Sequence, residues 1–164
     1  SRLVKNPGPT TGVLCFGPGR TGITFHTDLC AMDKRSLAWG AGILFVAVAC
    51  GAFGAHALKA ALSPEAMAQW KTAVEYQFYH GLGLMLLAAL AGHLPAGKVK
   101  AVRILFIGGI LLFCGSIYLL STRELLGTEG LTPVLGPVTP LGGLLFLAGW
   151  MVLFLTALRR TDGR

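Results

Sequence analysis

The distribution of apolar and charged positions divides the chain into four long apolar stretches separated by short polar ones. Ser36 to Leu58 carries no charge and is bounded by Arg35 and Lys59, which suits the roughly 20 residues a membrane helix needs. Ser63-Pro64-Glu65 then supplies a helix start, with a capping hydroxyl, a proline in the first turn and an acid beside it. The helix it opens is mixed through Glu75 and apolar from Tyr76 to Leu94, where Pro95-Ala96-Gly97 ends it. Lys98, Lys100 and Arg103 form a basic loop ahead of Ile104 to Thr122. Eleven residues between Ile104 and Leu120 are Leu, Ile or Phe, and together they favour insertion by roughly 3 to 7 kcal/mol. Arg123 to Thr139 contains Pro133, Pro137 and several glycines and reads as a loop, after which Pro140 opens a last helix ending at Arg159-Arg160.

The expectation is an all-α, polytopic membrane protein: four transmembrane helices, about 36–58, 64–94, 102–122 and 140–158, in a compact bundle within residues 32–164. Residues 1–31, rich in Gly, Pro and Thr without periodicity, read as a disordered tail or upstream sequence, with Met32 as the natural start. Lys34, Arg35, Lys98, Lys100, Arg103, Arg159, Arg160 and Arg164 flank one side, against Lys59, Lys71 and Arg123 on the other. This asymmetry places both termini in the cytoplasm.

Composition agrees: 54% of residues are hydrophobic and 13% charged, more apolar than a soluble domain of this length can bury. The net charge of +7 is spread in clusters between apolar stretches instead of forming a stripe, which argues against nucleic acid as a partner. Cys15, Cys30, Cys50 and Cys114 show no C-x-x-C or metal spacing.

An α-helix advances about 1.5 Å per residue, so the topology assigns each polar residue a depth. His56, Gln77, His80, Ser116, Tyr118 and Thr139 fall in one layer of the outer leaflet, with Gln77 and His80 three apart on one helical face. Small residues accompany them: Ala47, Gly51 and Ala55 at every fourth position, with Gly54, Gly81, Gly83, Gly115, Gly142, Gly143 and Gly149. Small side chains permit close approach of membrane helices. Gly51, Gly54, Gly115, Gly142 and Gly143 are the expected packing positions.

The blocks Gly51-Ala52-Phe53-Gly54-Ala55-His56, Thr72 to His80, Phe113-Cys114-Gly115-Ser116-Ile117-Tyr118 and Thr139 to Trp150 resemble the signature segments of the domain of unknown function 423 family. Its members are small four-helix bacterial inner-membrane proteins, similar to the animal protein called transmembrane protein 256. The resemblance runs from Met32 to Arg160. It implies the fold and a multi-pass position in the cell inner membrane, and it carries over no catalytic residue.

His56 and His80 admit two readings: a proton-sensing or metal-binding pair, or two groups that hydrogen-bond neighbouring helices. The second is the commoner use, and no acid or thiol is spaced to complete four metal ligands. Glu75 with Lys71 reads as an i, i+4 ion pair at the interface. Trp150, near the middle of its helix, either stacks on a ligand or packs on the glycines. Gly17-Pro18-Gly19-Arg20-Thr21-Gly22 fits G-x-G-x-x-G but lacks the strand and helix that give it meaning. With no nucleophile set, P-loop or H-E-x-x-H, neither an enzyme nor a cofactor is expected. The leading expectation is a non-enzymatic membrane component whose polar layer binds a partner, lipid or small solute. The alternative is a proton-linked or small-solute transport role using His56 and His80. Expected partners are the bilayer and a membrane protein or second copy.

Overall fold

Asp33 begins the first helix by accepting hydrogen bonds from the backbone N–H groups of Arg35 and Ser36. These are two of the four donors that a helix start leaves unpaired. From there α1 (Lys34–Leu58) runs to a final π-helical turn over Gly54–Leu58. The Ser63 hydroxyl caps α2 (Pro64–Leu90) by accepting from the N–H of Ala66 at 3.2 Å, with Pro64 in the first turn as expected. A short 3₁₀ turn, Ala91–His93, and Pro95 lead into α3 (Ala96–Ser121), which contains a π-helical turn over Ile110–Cys114. One further turn, Arg123–Leu126, closes on Gly127, whose φ of 62° suits a residue without a side chain. The last helix is α4 (Thr132–Arg159). This computed structural model describes residues 32–159, and among them there is no strand. The reading of residues 1–31 lies outside the described residues.

Two boundaries differ from the sequence expectation. The basic loop is helical: Lys98, Lys100 and Arg103 lie on the first turns of α3, which begins at Ala96. Likewise the second half of the expected loop before Thr139 belongs to α4, with Pro137 and Pro140 inside the helix. Prolines ordinarily break a helix by removing a donor and crowding the carbonyl four residues back. Here those two carbonyls belong to Pro133 and Gly136, both exposed near the helix start.

Among the described residues three helices are long and apolar enough to cross a membrane: α1, α3 and the stretch Glu129–Leu158, which takes in nearly all of α4. Their large apolar side chains face outward, with Phe45 77% exposed, Leu111 68% and Leu147 67%. A continuous surface of that kind suits hydrocarbon, not water. The interior is narrower, built on Leu84 and Leu87 of α2, Val102, Phe106 and Ile110 of α3, and Phe146 of α4.

α3 and α4 interlock. A methyl group on Gly109 would lie 2.5 Å from the Phe146 ring, and one on Gly149 would lie 2.5 Å from the Phe106 ring. Each helix thus offers a glycine notch to the other's phenylalanine. One step further along, a methyl on Gly142 would collide with the backbone N of Phe113. The three contacts advance by three or four residues along α3 while receding by the same steps along α4, as an antiparallel pair requires. On α2 the fit is tight but looser, because a methyl on Gly83 would lie 3.0 Å from Phe106.

The expected packing glycines separate accordingly. Gly142 and Gly54 stand where no side chain fits, since a methyl on Gly54 would lie 2.6 Å from the Trp70 Nε1. Gly51 and Gly143 have ordinary contact distances, and Gly115 faces open space. Spacing alone does not say which face of α3 meets a neighbour. Gly142→Ala should therefore destabilise the bundle by about 1 to 3 kcal/mol through overpacking against backbone. Gly115→Ala should leave it unchanged or raise it by about 0.5 to 1 kcal/mol. Unfolding both variants in mixed micelles by denaturant titration checks the pair, and equal effects would refute the assignment.

Candidate functional site

Trp70, Gln77 and His80 of α2 are buried, and each is engaged by its own set of neighbours. Trp70 reaches α1, where its indole N–H donates to the Cys50 carbonyl at 3.0 Å. That approach needs Gly54, which leaves the indole its seat. Tyr118 of α3 lies against the same ring at 4.5 Å between centroids.

Two turns further along α2, Gln77 is only 4% exposed and uses both ends of its amide. Its Nε2 donates to the Ile43 carbonyl of α1 at 3.1 Å, while its Oε1 accepts from the Tyr118 hydroxyl at 2.8 Å. A single side chain so links three helices. On the α3–α4 side, the Ser116 and Thr139 hydroxyls share a hydrogen bond of 2.7 Å. Each oxygen also lies within reach of a carbonyl of its own helix, Ser116 of Phe113 and Thr139 of Leu135, so one hydroxyl donates across the contact and the other donates to its own helix.

His80 is 5% exposed and sandwiched among rings. Phe146 stacks on it at 3.5 Å with a 13° tilt, and Phe106 meets it edge-on at 5.3 Å. The Trp150 indole N–H points at Nε2 from 3.2 Å. An indole only donates, so Nε2 is the acceptor and Nδ1 carries the proton toward the Tyr76 carbonyl at 2.8 Å. A second proton on Nε2 would set two donors face to face.

Gln77, His80, Ser116, Tyr118 and Thr139 thus lie at helix contacts. The exception is His56, which is exposed. It follows Gly54 and precedes Leu58, both buried, by two residues each, and two residues carry a helix roughly halfway round its axis. The structure therefore does not bring His56 and His80 together, and among the described residues no group of three metal-ligating side chains occurs. A pocket of about 230 Å³ opens beside the layer, lined by Gln69, Thr72, Ile117, Leu120, Arg123 and Thr139.

Sequence reasoning missed a second polar cluster at the opposite end. The Asp33 carboxylate binds Arg103 of α3 at 2.5 Å and accepts from the Ser36 hydroxyl at 2.6 Å. Its backbone N–H donates to the Ala88 carbonyl near the end of α2. One residue ahead of α1 therefore ties three helices. Burial pushes the Asp33 carboxyl up, but the Ser36 hydrogen bonds and the Arg103 charge outweigh it and hold it below the ordinary value of 3.8.

The comparisons with known proteins can be set beside this geometry. A family model described as protein of unknown function (DUF423) matches residues 50–143. A UPF0382 membrane protein of Staphylococcus haemolyticus is 39% identical over 126 residues, covering 77% of this chain and 97% of its own length. The UPF0382 membrane protein YwdK of Bacillus subtilis is 38% identical over 121 residues, covering 73% of this chain and 93% of its own. No solved structure matches significantly. The chain belongs to the DUF423 family.

Two outcomes follow. Tyr118→Phe, which strips Gln77 of its donor, should cost about 0.5 to 2 kcal/mol of stability in micelles, the range for hydrogen bonds between membrane helices; no change would show that the contact carries no weight. A carboxyl depressed on folding contributes fully above its unfolded value and loses that contribution as acid titrates the folded state. The wild type should therefore lose stability below pH 3.8, and Asp33→Asn should remove that component while lowering stability at neutral pH. An acid profile identical in both proteins would refute the coupling.

Proposed function

We propose that the chain is a non-enzymatic component of the cell inner membrane that crosses it four times with both termini cytoplasmic. In this reading the polar layer seals the bundle, and the pocket at Arg123 and Thr139 is where a partner, lipid or small solute meets it. The observation that carries the proposal is the mutual satisfaction of Gln77, Tyr118, His80 and Trp150 by hydrogen bonds within the bundle.

Support for α2 as a spanning helix comes from its neighbours, because its own composition is too polar to qualify. Asp33 at the start of α1 bonds Ala88 near the end of α2, and Trp70 near the start of α2 bonds Cys50 toward the end of α1. The two helices thus run antiparallel along their shared length. Whatever α1 crosses, α2 crosses back. Polar groups within a span are tolerated when other helices satisfy them.

A proton-linked or small-solute transport role using His56 and His80 fits less well. His56 is exposed, and both His80 nitrogens are engaged. Transport also needs a polar path across the bundle, whereas beyond His80 the interior passes through Leu84, Leu87 and Val102.

Single-cysteine variants test the topology. With the native cysteines replaced, a cysteine at Lys59 should react with an impermeant maleimide in intact cells, and one at Lys98 only after the inner face is opened. Reaction of both from one side would end the four-span reading. Proteoliposomes holding a pH-sensitive dye test the closed layer: proton leak should equal that of protein-free vesicles. A faster leak abolished by His80→Phe would favour the transport alternative.

A further inference from the structure

Beyond that role, the geometry points to a second binding site at the other end of the bundle, for the headgroup of an anionic phospholipid of the cytoplasmic leaflet. The turn between α2 and α3 and the last turns of α4 enclose a groove of about 540 Å³, within the range of small-molecule sites. His93, Lys98 and Thr156 supply its polar lining, and Leu94, Val152 and Leu155 its apolar lining. The division suits a headgroup joined to the start of an acyl chain.

Charge decides the sign of the ligand. His93 and Lys98 are exposed, so both are free to turn toward a phosphate. Lys34, Arg35 and Lys100 lie at the same end of the bundle. The acid placed there among the described residues is Asp33, which Arg103 engages at 2.5 Å. Glu65 and Glu75 belong to the first half of α2, and Glu124 and Glu129 to the connection between α3 and α4. Lys98 therefore faces a groove with no carboxylate in its lining. Basic pockets between membrane helices on the cytoplasmic side are suited to anionic headgroups.

Thr156 narrows the choice. Its hydroxyl donates to the Val152 carbonyl at 2.6 Å, leaving its lone pairs to accept from a ligand hydroxyl. A phosphodiester bearing glycerol hydroxyls, as in phosphatidylglycerol, offers both the charge for Lys98 and the donor for Thr156. A choline headgroup offers no donor and no net charge.

The assignment of the groove to the cytoplasmic leaflet rests on the topology proposed above; the binding chemistry does not. The full chain in dodecylmaltoside is titrated with dioleoylphosphatidylglycerol and, in parallel, dioleoylphosphatidylcholine, and bound lipid is counted by native mass spectrometry. The glycerol lipid should bind more tightly, and Lys98→Gln should reduce that preference about fivefold, as loss of one interfacial cation implies. Lys71→Gln, on the first half of α2, should leave it unchanged. Circular dichroism should show the same helix content in each variant. Equal binding of the two lipids, an unaltered preference in Lys98→Gln, or displacement by millimolar inorganic phosphate would overturn the site. Lipid selectivity of the unsubstituted chain that depends on Lys98, together with outside labelling of the Lys98→Cys variant, would leave the site standing and refute the topology instead.

Discussion

The bundle depends on one constraint: a helix too polar to enter hydrocarbon unaided must be enclosed by others that consume its polar groups. α2 carries Trp70, Gln77 and His80 on faces that α1, α3 and α4 cover, and each of these three residues bonds a different helix or combination of helices. An amide or imidazole left unpaired in an apolar interior costs more than a matched one gains. The arrangement of the other three helices follows from meeting that need.

The apolar periphery was legible because membrane insertion is close to a sum over residues. Long charge-free apolar runs locate α1, α3 and α4 without any knowledge of partners. α2 is a different case. Its mixed composition does not mark a spanning helix by itself, and the groups that satisfy its polar residues are a tertiary property. The prolines misled in the opposite sense: Pro133 and Pro137 suggested a loop and Pro140 a helix start, yet all three belong to α4, and the carbonyls that Pro137 and Pro140 deprive belong to exposed residues.

Depth grouped Gln77, His80, Ser116, Tyr118 and Thr139, which the structure places at helix contacts, but depth is one coordinate and the rotational face is another. His56 shares the depth and has the wrong face. Several partners of the layer were invisible for a simpler reason: the carbonyls of Ile43, Cys50 and Tyr76 are backbone groups, which every residue owns and no residue type announces. Trp150 and Arg103 were each visible as residues but not as partners. Each binds a group 70 positions away in the chain.

The reciprocal seating of Phe146 on Gly109 and Phe106 on Gly149 makes α3 and α4 a keyed pair. Sliding one along the other by a single turn would press ring against ring and leave the grooves vacant, so intermediate alignments have no comparable minimum. Such a pair is suited to enter the bilayer as a preassembled hairpin, onto which the polar faces of α2 close afterwards. Substitutions within the key can then be accommodated only in compensating couples, a larger residue on one helix answered by a smaller one opposite.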